Sequence, residues 1–218
     1  MNSPSGRRDG VVAAPPRQKT RAHLARLEEI KQAAAEQFYE NGYAATDVRS
    51  IADAVGLHVS TLYTYISGKE ELLYLILKDG MVEISAALDE ALSQTASPTD
   101  SIRSAVRAHI LHHATRQHLS WTGRIEIRSL AGDYRQEILT LRDAYQERWV
   151  RLIENGQRAG TIAPYDARLV VYGILGFGHS VAGWFLPEGR YPAEEIATMI
   201  ADQLMSGLLV RESTNGEN

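Results

Sequence analysis

Apolar side chains recur at three- and four-residue spacing through the first part of the chain, which is the period of an amphipathic helix. The first stripe predicts a helix over 22–40 and consists of Leu24, Leu27, Ile30, Ala34 and Phe38. Asn41 and Gly42 follow directly. Glycine commonly ends a helix because it adopts positive φ without strain, so we expect the helix to end before Gly42.

Two short apolar stripes follow and predict a pair of helices over 47–55 and 58–66, separated by Gly56 and Leu57. Thr46 is the expected N-cap of the first, because its hydroxyl can accept a bond from a free backbone N–H. Ser67 and Glu70 form a capping-box pattern that predicts the start of a longer helix over 69–93. Helices as short as this pair bury little surface and must pack on the helix over 22–40.

The remaining chain keeps the helical period, and the sustained alternation typical of strands is missing. Further helices are expected over 100–117, 121–131, 133–159, 166–185 and 192–211. The sequence therefore predicts an all-α fold of about nine helices.

Composition limits the class of protein. With 218 residues, 44% hydrophobic and 23% charged, the chain has an ordinary globular make-up. The absence of cysteine excludes disulfide scaffolds, thiol catalysis and cysteine-based zinc sites. No apolar run approaches the length of a membrane span, and no apolar stretch follows Arg7 and Arg8 as in a secretory signal. We expect a cytoplasmic protein.

The net charge of −4 is unevenly distributed. Residues 1–26 contain six basic side chains, among them Arg17, Lys19 and Arg21, against a single acid. The first twenty residues also contain prolines and few apolar side chains, which predicts a flexible segment. A basic arm is typical of nucleic-acid binding, although a solvated tail explains the same charges equally well.

The outward face of the helix predicted over 58–66 has hydrogen-bonding side chains and no carboxylate. It comprises His58, Ser60, Thr61, Tyr63, Thr64 and Tyr65, with Lys69 just beyond. Hydroxyl and imidazole groups bond phosphate oxygens and base edges, whereas a carboxylate would repel phosphate. An ordinary solvated face would more often mix Glu with Lys, so the composition favours contact with DNA.

Residues 22–72 resemble the DNA-binding domain of TetR-type transcriptional repressors. The resemblance rests on the combined spacing of Phe38 with Asn41-Gly42-Tyr43, Ala45-Thr46, Ile51-Ala52, Ala54-Val55-Gly56, Thr61-Leu62-Tyr63 and Lys69-Glu70-Glu71-Leu72. The chain departs from the family pattern twice. His58 stands where a small hydroxyl residue is usual, which leaves the base preference open, and Ile66 replaces the usual aromatic residue.

The resemblance implies a role for each residue of this surface. Phosphate would be met by Thr46 and Arg49. The base edges would lie nearest to His58, Ser60 and Thr61. The DNA backbone would be gripped by Tyr63, Tyr65 and Lys69, and tracked by Arg17, Lys19 and Arg21 from the arm.

The resemblance also implies an organisation and a function. Two heads spaced by one DNA turn, roughly 34–36 Å, require a homodimer and a palindromic operator. The implied parts are a flexible basic arm (1–20), a helix-turn-helix domain (21–68) and a ligand-binding and dimerisation domain (69–218). The implied function is a repressor of transcription that a small molecule releases from double-stranded DNA.

Four histidines lie close together in the C-terminal half: His109, His112, His113 and His118. His109 and His113 have the i, i+4 spacing that can hold a metal on a helix. The acid of a metalloprotease-type motif does not accompany them, and the chain has no cysteine. We therefore predict neither metal nor cofactor. The histidines are either partly exposed helix residues or polar groups that line a ligand pocket, and we include His109 and His113 among the candidate ligand-binding residues.

The helix predicted over 166–185 contains Gly173, Gly176 and Gly178, although a glycine inside a helix costs about 1 kcal/mol relative to alanine. Glycines at this density indicate that something packs close to the helix. Together with the last helix it would form a four-helix bundle with a second copy of the chain, as the resemblance implies. Packing within one chain remains the alternative, but a head of this kind needs a second half-site reader.

We expect a pocket among the helices between 100 and 185. Its aromatic walls would be Trp121, Tyr134, Tyr145, Trp149, Tyr172, Phe177 and Trp184. Arg124 and Arg128 have the i, i+4 spacing with which two side chains can clamp an anion. A surface helix in which Glu126 pairs with neighbouring arginines explains these residues at least as well.

Residues 174–196 are similar to the end of TetR-type regulators of fatty-acid and steroid catabolism, which respond to acyl-CoA thioesters. That resemblance implies an apolar tunnel with basic groups for phosphate, a role open to Arg124 and Arg128. Two other functions stay open: an architectural DNA-binding protein without inducer, and a helical small-molecule-binding protein or enzyme. No set of acid, base and nucleophile supports catalysis, so we predict no enzymatic activity.

Overall fold

The computed structural model describes residues 21–210, and this part of the chain consists of nine α-helices. They are α1 (Arg21–Asn41), α2 (Val48–Ala54), α3 (Val59–Leu62), α4 (Lys69–Ser93), α5 (Pro98–Thr115), α6 (Gln117–Glu126), α7 (Gly132–Arg158), α8 (Ala167–Trp184) and α9 (Ala193–Leu208). The predicted all-α class is confirmed. The arm predicted over 1–20, with Arg17 and Lys19, lies outside the described residues.

Positive-φ glycines end the helices where the sequence predicts them. Gly42 follows α1 with φ +79° and Gly56 follows α2 with φ +65°. We call α1, α2 and α3 with their loops the head. Within 21–210, no helix is long and apolar enough to cross a membrane.

The N-cap of α2 differs from the prediction. Asp47 is the cap, and its carboxylate accepts a bond of 2.7 Å from the Ser50 backbone N–H. Thr46 is buried instead, and its hydroxyl donates to the carbonyls of Gln37 and Gly42 at 3.1 and 2.9 Å. The prediction of Thr46 as cap is wrong because its hydroxyl is engaged with carbonyls at the end of α1 and not with a backbone N–H of α2.

The start of α4 also shifts by one residue. The N-cap is Gly68, so Glu71 rather than Glu70 bonds back to the Ser67 hydroxyl, at 2.7 Å. Glu70 accepts a bond of 2.7 Å from the backbone N–H of Ala131. The capping box predicted with Glu70 is therefore corrected, and Glu70 links α4 to the start of α7.

The end of α9 pairs with the loop between α7 and α8. The Ala163 N–H donates to the Leu208 carbonyl at 2.8 Å, and the Val210 N–H donates to the Thr161 carbonyl at 3.2 Å. Ile162 between them is buried and packs close to Gly156 of α7. Ile162 and Leu209 form an antiparallel bridge, which attaches the end of α9 to the loop between α7 and α8.

Two apolar clusters form the core, and α4 belongs to both. Leu72, Leu73 and Ile76 of α4 pack with the head and with Ile138 of α7. Farther along the same helix, Ile84 and Leu88 pack with α5, α7, α8 and α9. Because a packed helix transmits displacement along its length, α4 connects the head mechanically to the C-terminal half.

Candidate functional site

The helix predicted over 58–66 is shorter in the structure, where α3 is followed by a turn, and the outward side of α3 with its flanking residues presents polar side chains to solvent. His58, Ser60, Thr61, Tyr63 and Thr64 are exposed, and Tyr63 is 50% accessible although its ring is large. On the opposite side, Leu62 and Ile66 are buried against the head. The buried side fixes the position of the element while the exposed side is free to enter a DNA groove.

The neighbours of this face are less uniform. Arg49 of α2 and Arg21 of α1 are exposed. The Thr64 hydroxyl donates to the Thr61 carbonyl at 2.7 Å. Tyr65 is half-buried, and its ring stacks on His23 at a centroid distance of 4.6 Å. Thr64 and Tyr65 therefore already have contacts within the head.

The polar groups of Lys69 and Thr46 are bonded to backbone carbonyls within the chain. The Lys69 ammonium donates to the carbonyls of Tyr43 and Thr46 at 2.7 and 2.8 Å and lies 4.3 Å from the centre of the Tyr43 ring. The Thr46 side chain is 4% accessible within its own bonds to the end of α1. Both side chains hold the α1–α2 loop in place, and their contacts with phosphate stay a prediction from the sequence.

The head also contacts the junction between α6 and α7. Glu126 accepts a long bond of 3.4 Å from the Tyr43 N–H and a bond of 2.8 Å from the Ser129 hydroxyl. Lys31 of α1 pairs with Asp79 of α4. These contacts, with the bond from Ala131 to Glu70, join the head to the rest of the molecule.

A cavity of about 540 Å³ lies between α4, α5, α6, α7 and α8, which is a usual size for a small-molecule site. Its apolar lining includes Leu77, Met81, Ile84, Leu119, Ile138 and Leu175. Its polar lining includes His109, His112, His113, Ser120, Arg124, Arg142, Asp143, Tyr145, Tyr172 and His179. Of the residues proposed for ligand binding from the sequence, His109, His113, Arg124, Tyr145 and Tyr172 are among those lining this space.

Five other residues expected to bind ligand do not line this cavity, and their role in ligand binding stays a prediction from the sequence. Trp149 is completely buried in the core, one turn beyond Tyr145. Trp121 packs against Gly183 of α8. Phe177 and Trp184 are exposed on the outer side of α8. Arg128 is exposed in the 3-10 turn Ile127–Ser129, where its Nε donates to the Ile125 carbonyl at 3.0 Å.

Tyr134, expected as a further aromatic wall, also lies outside the lining. Its ring stacks on Tyr74 of α4 at a centroid distance of 4.4 Å. The contact serves the packing of α7 on α4.

Arg142, which was not predicted from the sequence, lines the cavity, whereas Arg128 does not. Arg124 lines the same cavity, and Nη2 of Arg142 donates to the Gly123 carbonyl at 3.3 Å. Burial lowers the pKa of the Arg142 guanidinium, which nevertheless stays charged at neutral pH. Burial also lowers the pKa of His179, and the charges of Arg142 and Arg124 lower it further. The two guanidinium groups thus act on the same side of the cavity, which suits an anion.

Histidines of α5 form a second, uncharged part of the lining. His109 and His113 are 3% and 4% accessible, and their ring centres are 4.5 Å apart. Nδ1 of His109 is 3.0 Å from the Tyr145 hydroxyl. Within 21–210, neither ring nitrogen of His113 has a hydrogen-bond partner. Burial lowers the pKa of His109 to about 3 and that of His113 well below its usual range, so both rings are neutral at pH 7.

The glycines of α8 serve two different surfaces. A side chain at Gly178 would collide with the rings of His109 and His113, so glycine is required there by packing within the chain. Side chains at Gly173 and Gly176 would meet no described atom within 4 Å. These two lie among the exposed Leu169, Tyr172 and Phe177. The outer side of α8 is therefore an apolar surface without a partner in the described chain.

Comparison with protein families covers most of the described chain. Residues 30–74 match the family model described as "Bacterial regulatory proteins, tetR family". Residues 95–208, more than half of the chain, match "Tetracyclin repressor-like, C-terminal domain". The two matches correspond to the head with the start of α4, and to the helices that surround the cavity.

Individual relatives align over nearly their whole lengths. The chain is 25% identical over 182 residues to the fatty acid metabolism regulator protein of Bacillus subtilis (strain 168), covering 83% of this chain and 94% of that one. A tetR-family regulatory protein from Rhodococcus RHA1 is 27% identical with a TM-score of 0.80, covering 86% and 98%. AibR, solved with isovaleryl coenzyme A and operator DNA, is 26% identical with a TM-score of 0.76, covering 83% and 98%.

Proposed function

The chain belongs to the TetR family of bacterial regulatory proteins, and we propose that it binds a palindromic operator as a homodimer and leaves it when a small molecule fills the cavity. The family consists of transcription regulators, so the chain is a DNA-binding regulator and not an enzyme. Because such a protein works where the DNA lies, we propose a cytoplasmic location. The remaining proposals concern which residues carry each step.

The exposed, carboxylate-free side of α3 is the observation that carries the proposal. We assign base-edge contacts to His58, Ser60 and Thr61, and backbone contacts to Arg49 and Tyr63, because all five are exposed around one buried anchor, Leu62. Thr64, Tyr65 and Arg21 border this surface. We assign further contacts with the DNA backbone to Arg17 and Lys19 of the proposed arm (1–20).

Dimerisation is assigned to the outer sides of α8 and α9. The exposed apolar side chains on this surface are Leu169, Tyr172, Phe177, Trp184 and Met199. Gly173 and Gly176 leave room for a helix to approach closely. A second copy that covers this surface supplies the second head that a palindromic operator needs. The proposed division is thus a DNA-binding part over 21–68 and a ligand-binding and dimerisation part over 69–218.

The lining of the cavity supports a ligand with an apolar body and an anionic end. Leu77, Met81 and Ile84 supply apolar surface. Arg124 and Arg142 supply two positive charges against the one negative charge of Asp143. AibR is similar in sequence and fold and was solved with isovaleryl coenzyme A. We propose an acyl-CoA thioester as the inducer, with its acyl group in the cavity and its phosphates toward the arginines.

Helix α4 is the element through which the ligand would act. Gly80, Met81 and Ile84 line the cavity, whereas Leu72 and Leu73 pack into the head. A ligand that prefers a displaced α4 shifts the dimer toward a head spacing that no longer matches the operator. The size of the effect is limited by the difference in affinity between the two states.

The proposal is tested by operator binding in the full-length protein. A fluorescent duplex with an inverted repeat from the region upstream of the gene should bind more tightly than a scrambled duplex, by at least about 1,000-fold at moderate salt. Octanoyl-CoA should release it, and the double change Arg124→Gln and Arg142→Gln should weaken the release while leaving binding intact. Equal affinity for both duplexes would refute the regulator, and operator binding that no CoA thioester reverses would favour an architectural DNA-binding protein.

A further inference from the structure

We infer that the inducer carries an uncharged oxygen function, a hydroxyl or a carbonyl, on the part that enters the cavity, and that His113 binds it. This inference rests on the proposed control by a small molecule, but it does not require that the molecule be a CoA thioester. His113 is almost inaccessible to solvent and lines the cavity. Neither of its ring nitrogens has a hydrogen-bond partner in the described part of the chain.

His113 has unused hydrogen-bonding capacity at both ring nitrogens. Its neighbours do not supply a partner: the rings of His109 and His179 lie 4.5 and 4.8 Å away between centres, in edge-on and tilted contacts. A buried polar group without a partner is unfavourable, whereas the same group bonded to a ligand is not. A purely hydrocarbon ligand would cover His113 and leave it unbonded.

Other groups on this side of the cavity have the same character. The Ser120 hydroxyl lines the cavity and is also without a partner in the described part of the chain. The Tyr145 hydroxyl is held by His109, which orients it beside the same space. Each neutral imidazole offers one donor and one acceptor, and each hydroxyl offers both, so together they match an uncharged hydroxyl or carbonyl.

The charges in the lining argue against a carboxylate at this position. The two guanidinium groups belong to α6 and α7, whereas His113 lies on α5 between two other histidines. An anion beside neutral rings would lose its hydration without a balancing cation. The charged end of a ligand therefore belongs with Arg124 and Arg142, and the oxygen function belongs with His113.

Gly178 keeps the histidines in this position. Any side chain there would occupy the volume taken by the rings of His109 and His113. Because Gly178 has no side chain, two imidazole rings fit between α5 and α8. Apolar side chains would otherwise fill this part of the core. Both histidines and Tyr145 form a contiguous polar wall as a result.

The test uses two uncharged probes that differ by one hydroxyl, 4-propylphenol and propylbenzene, in calorimetric titrations of the full-length protein. An apolar cavity prefers propylbenzene, because the phenol loses its bonds to water on entry. We expect the reverse here, with 4-propylphenol bound about tenfold more tightly. Preference for propylbenzene, equal affinity, or binding of neither probe would overturn the inference.

Two variants locate the effect. His113→Leu should invert the preference toward propylbenzene, whereas His118→Leu, which changes an exposed histidine of α6 outside the cavity lining, should leave it unchanged. A preference for the phenol that persists in folded His113→Leu would contradict the assignment.

If that variant does not fold, nitrogen-15 spectra of histidine-labelled wild type decide. The ring nitrogens of His113 should shift with 4-propylphenol and not with propylbenzene, and equal shifts count against the inference.

The outcome is separable from the proposed function. Operator binding and its release by octanoyl-CoA are measured on the same preparation, and neither depends on the phenol. If release occurs but the probes show no preference, the regulator stands and the role of His113 fails. If the preference appears without release, the polar wall stands and the proposed class of inducer fails.

Discussion

The head and the cavity differ in how their buried polar groups are bonded. The buried Thr46 hydroxyl of the head, and the partly buried Lys69 ammonium beside it at the start of α4, are each bonded to two backbone carbonyls within 3.1 Å. In the cavity, His113 and Ser120 are similarly buried but have no partner in the part of the chain that the structure describes. The head therefore uses its buried polar groups to hold its own shape, whereas the cavity keeps some available.

This difference distinguishes polar residues that stabilise the fold from polar residues that are available to bind DNA or a ligand. On the head, the groups left free are on the surface, at His58, Ser60 and Thr61, where DNA can reach them. In the C-terminal half they belong to buried residues that line the cavity, a space of the size that a small molecule fills. Each of the following predictions tests one side of this contrast.

The largest effect is expected on the free surface of the head. Thr61→Glu places a carboxylate in each of two heads, and we expect operator affinity to fall by at least about 100-fold because the carboxylate repels phosphate and displaces the hydroxyl from the base edges. Gln136→Glu, at an exposed position of α7, adds the same charge and should have little effect. Fluorescence anisotropy measures both. Similar reductions in the two variants would mean that overall charge, not the α3 surface, determines binding.

The next effect concerns packing around the histidines. Gly178→Ala should lower the free energy of unfolding by about 3 kcal/mol, because its methyl group collides with both rings. Gly173→Ala meets no described atom and should leave the protomer core intact while weakening the dimer. Urea unfolding and light scattering at several protein concentrations separate the two results. A Gly178→Ala protein as stable as wild type would contradict the close packing.

The buried histidines also make stability depend on pH. The pKa of His109 is about 3 in the folded chain and returns to its usual value of 6.5 on unfolding. Between these values the unfolded chain takes up a proton that the folded chain does not, so stability is lost as pH falls. From pH 7 to pH 5 the loss through His109 is about 2 kcal/mol.

Urea unfolding across this pH range checks the effect. His109→Gln should reduce the slope of stability against pH, whereas His58→Gln, exposed on the head, should not. An unchanged slope in His109→Gln would show that His109 does not cause the loss of stability at low pH.

The smallest effect separates Lys69 from Arg49. Lys69→Met should lower the free energy of unfolding by about 1 kcal/mol because it removes the bonds to loop carbonyls, with little change in the salt dependence of operator binding. Arg49→Met should keep stability and reduce the slope of log affinity against log salt by about 0.9 for each phosphate that is no longer neutralised. The opposite pattern would return Lys69 to the DNA surface.

Elements with long apolar stripes were predictable, and short-range details were not. The stripe from Leu27 to Phe38 and the glycines at 42 and 56 predicted α1 and the turn after α2 nearly as observed. The N-cap of α2 and the acid in the first turn of α4 that bonds to Ser67 were each misplaced by one residue. Neighbouring Thr46 and Asp47 are both good caps by type, and only the path of the preceding loop decides between them.

The cavity shows why residue spacing alone is insufficient. Arg124 and Arg128 would share a face on a continuous helix, but α6 ends at Glu126 and the 3-10 turn carries Arg128 to the surface. Arg142 lies one turn before Tyr145 and so on the same side of α7, a signal that was present in the sequence. Which side of a helix meets which neighbour is set by tertiary packing, and a single sequence does not show it.

The pairing of Ile162 with Leu209 has a practical consequence for building chimeras. It holds the chain just after α9 beside Ile102 at the beginning of α5, in the half of the molecule that does not contain α3. A fluorescent reporter joined to the C-terminal side is therefore tethered through Val210, away from the duplex. Truncation before Leu208 would remove this attachment and expose Ile162 to solvent. The truncated protein would therefore lose solubility before it lost the DNA-binding surface of the head.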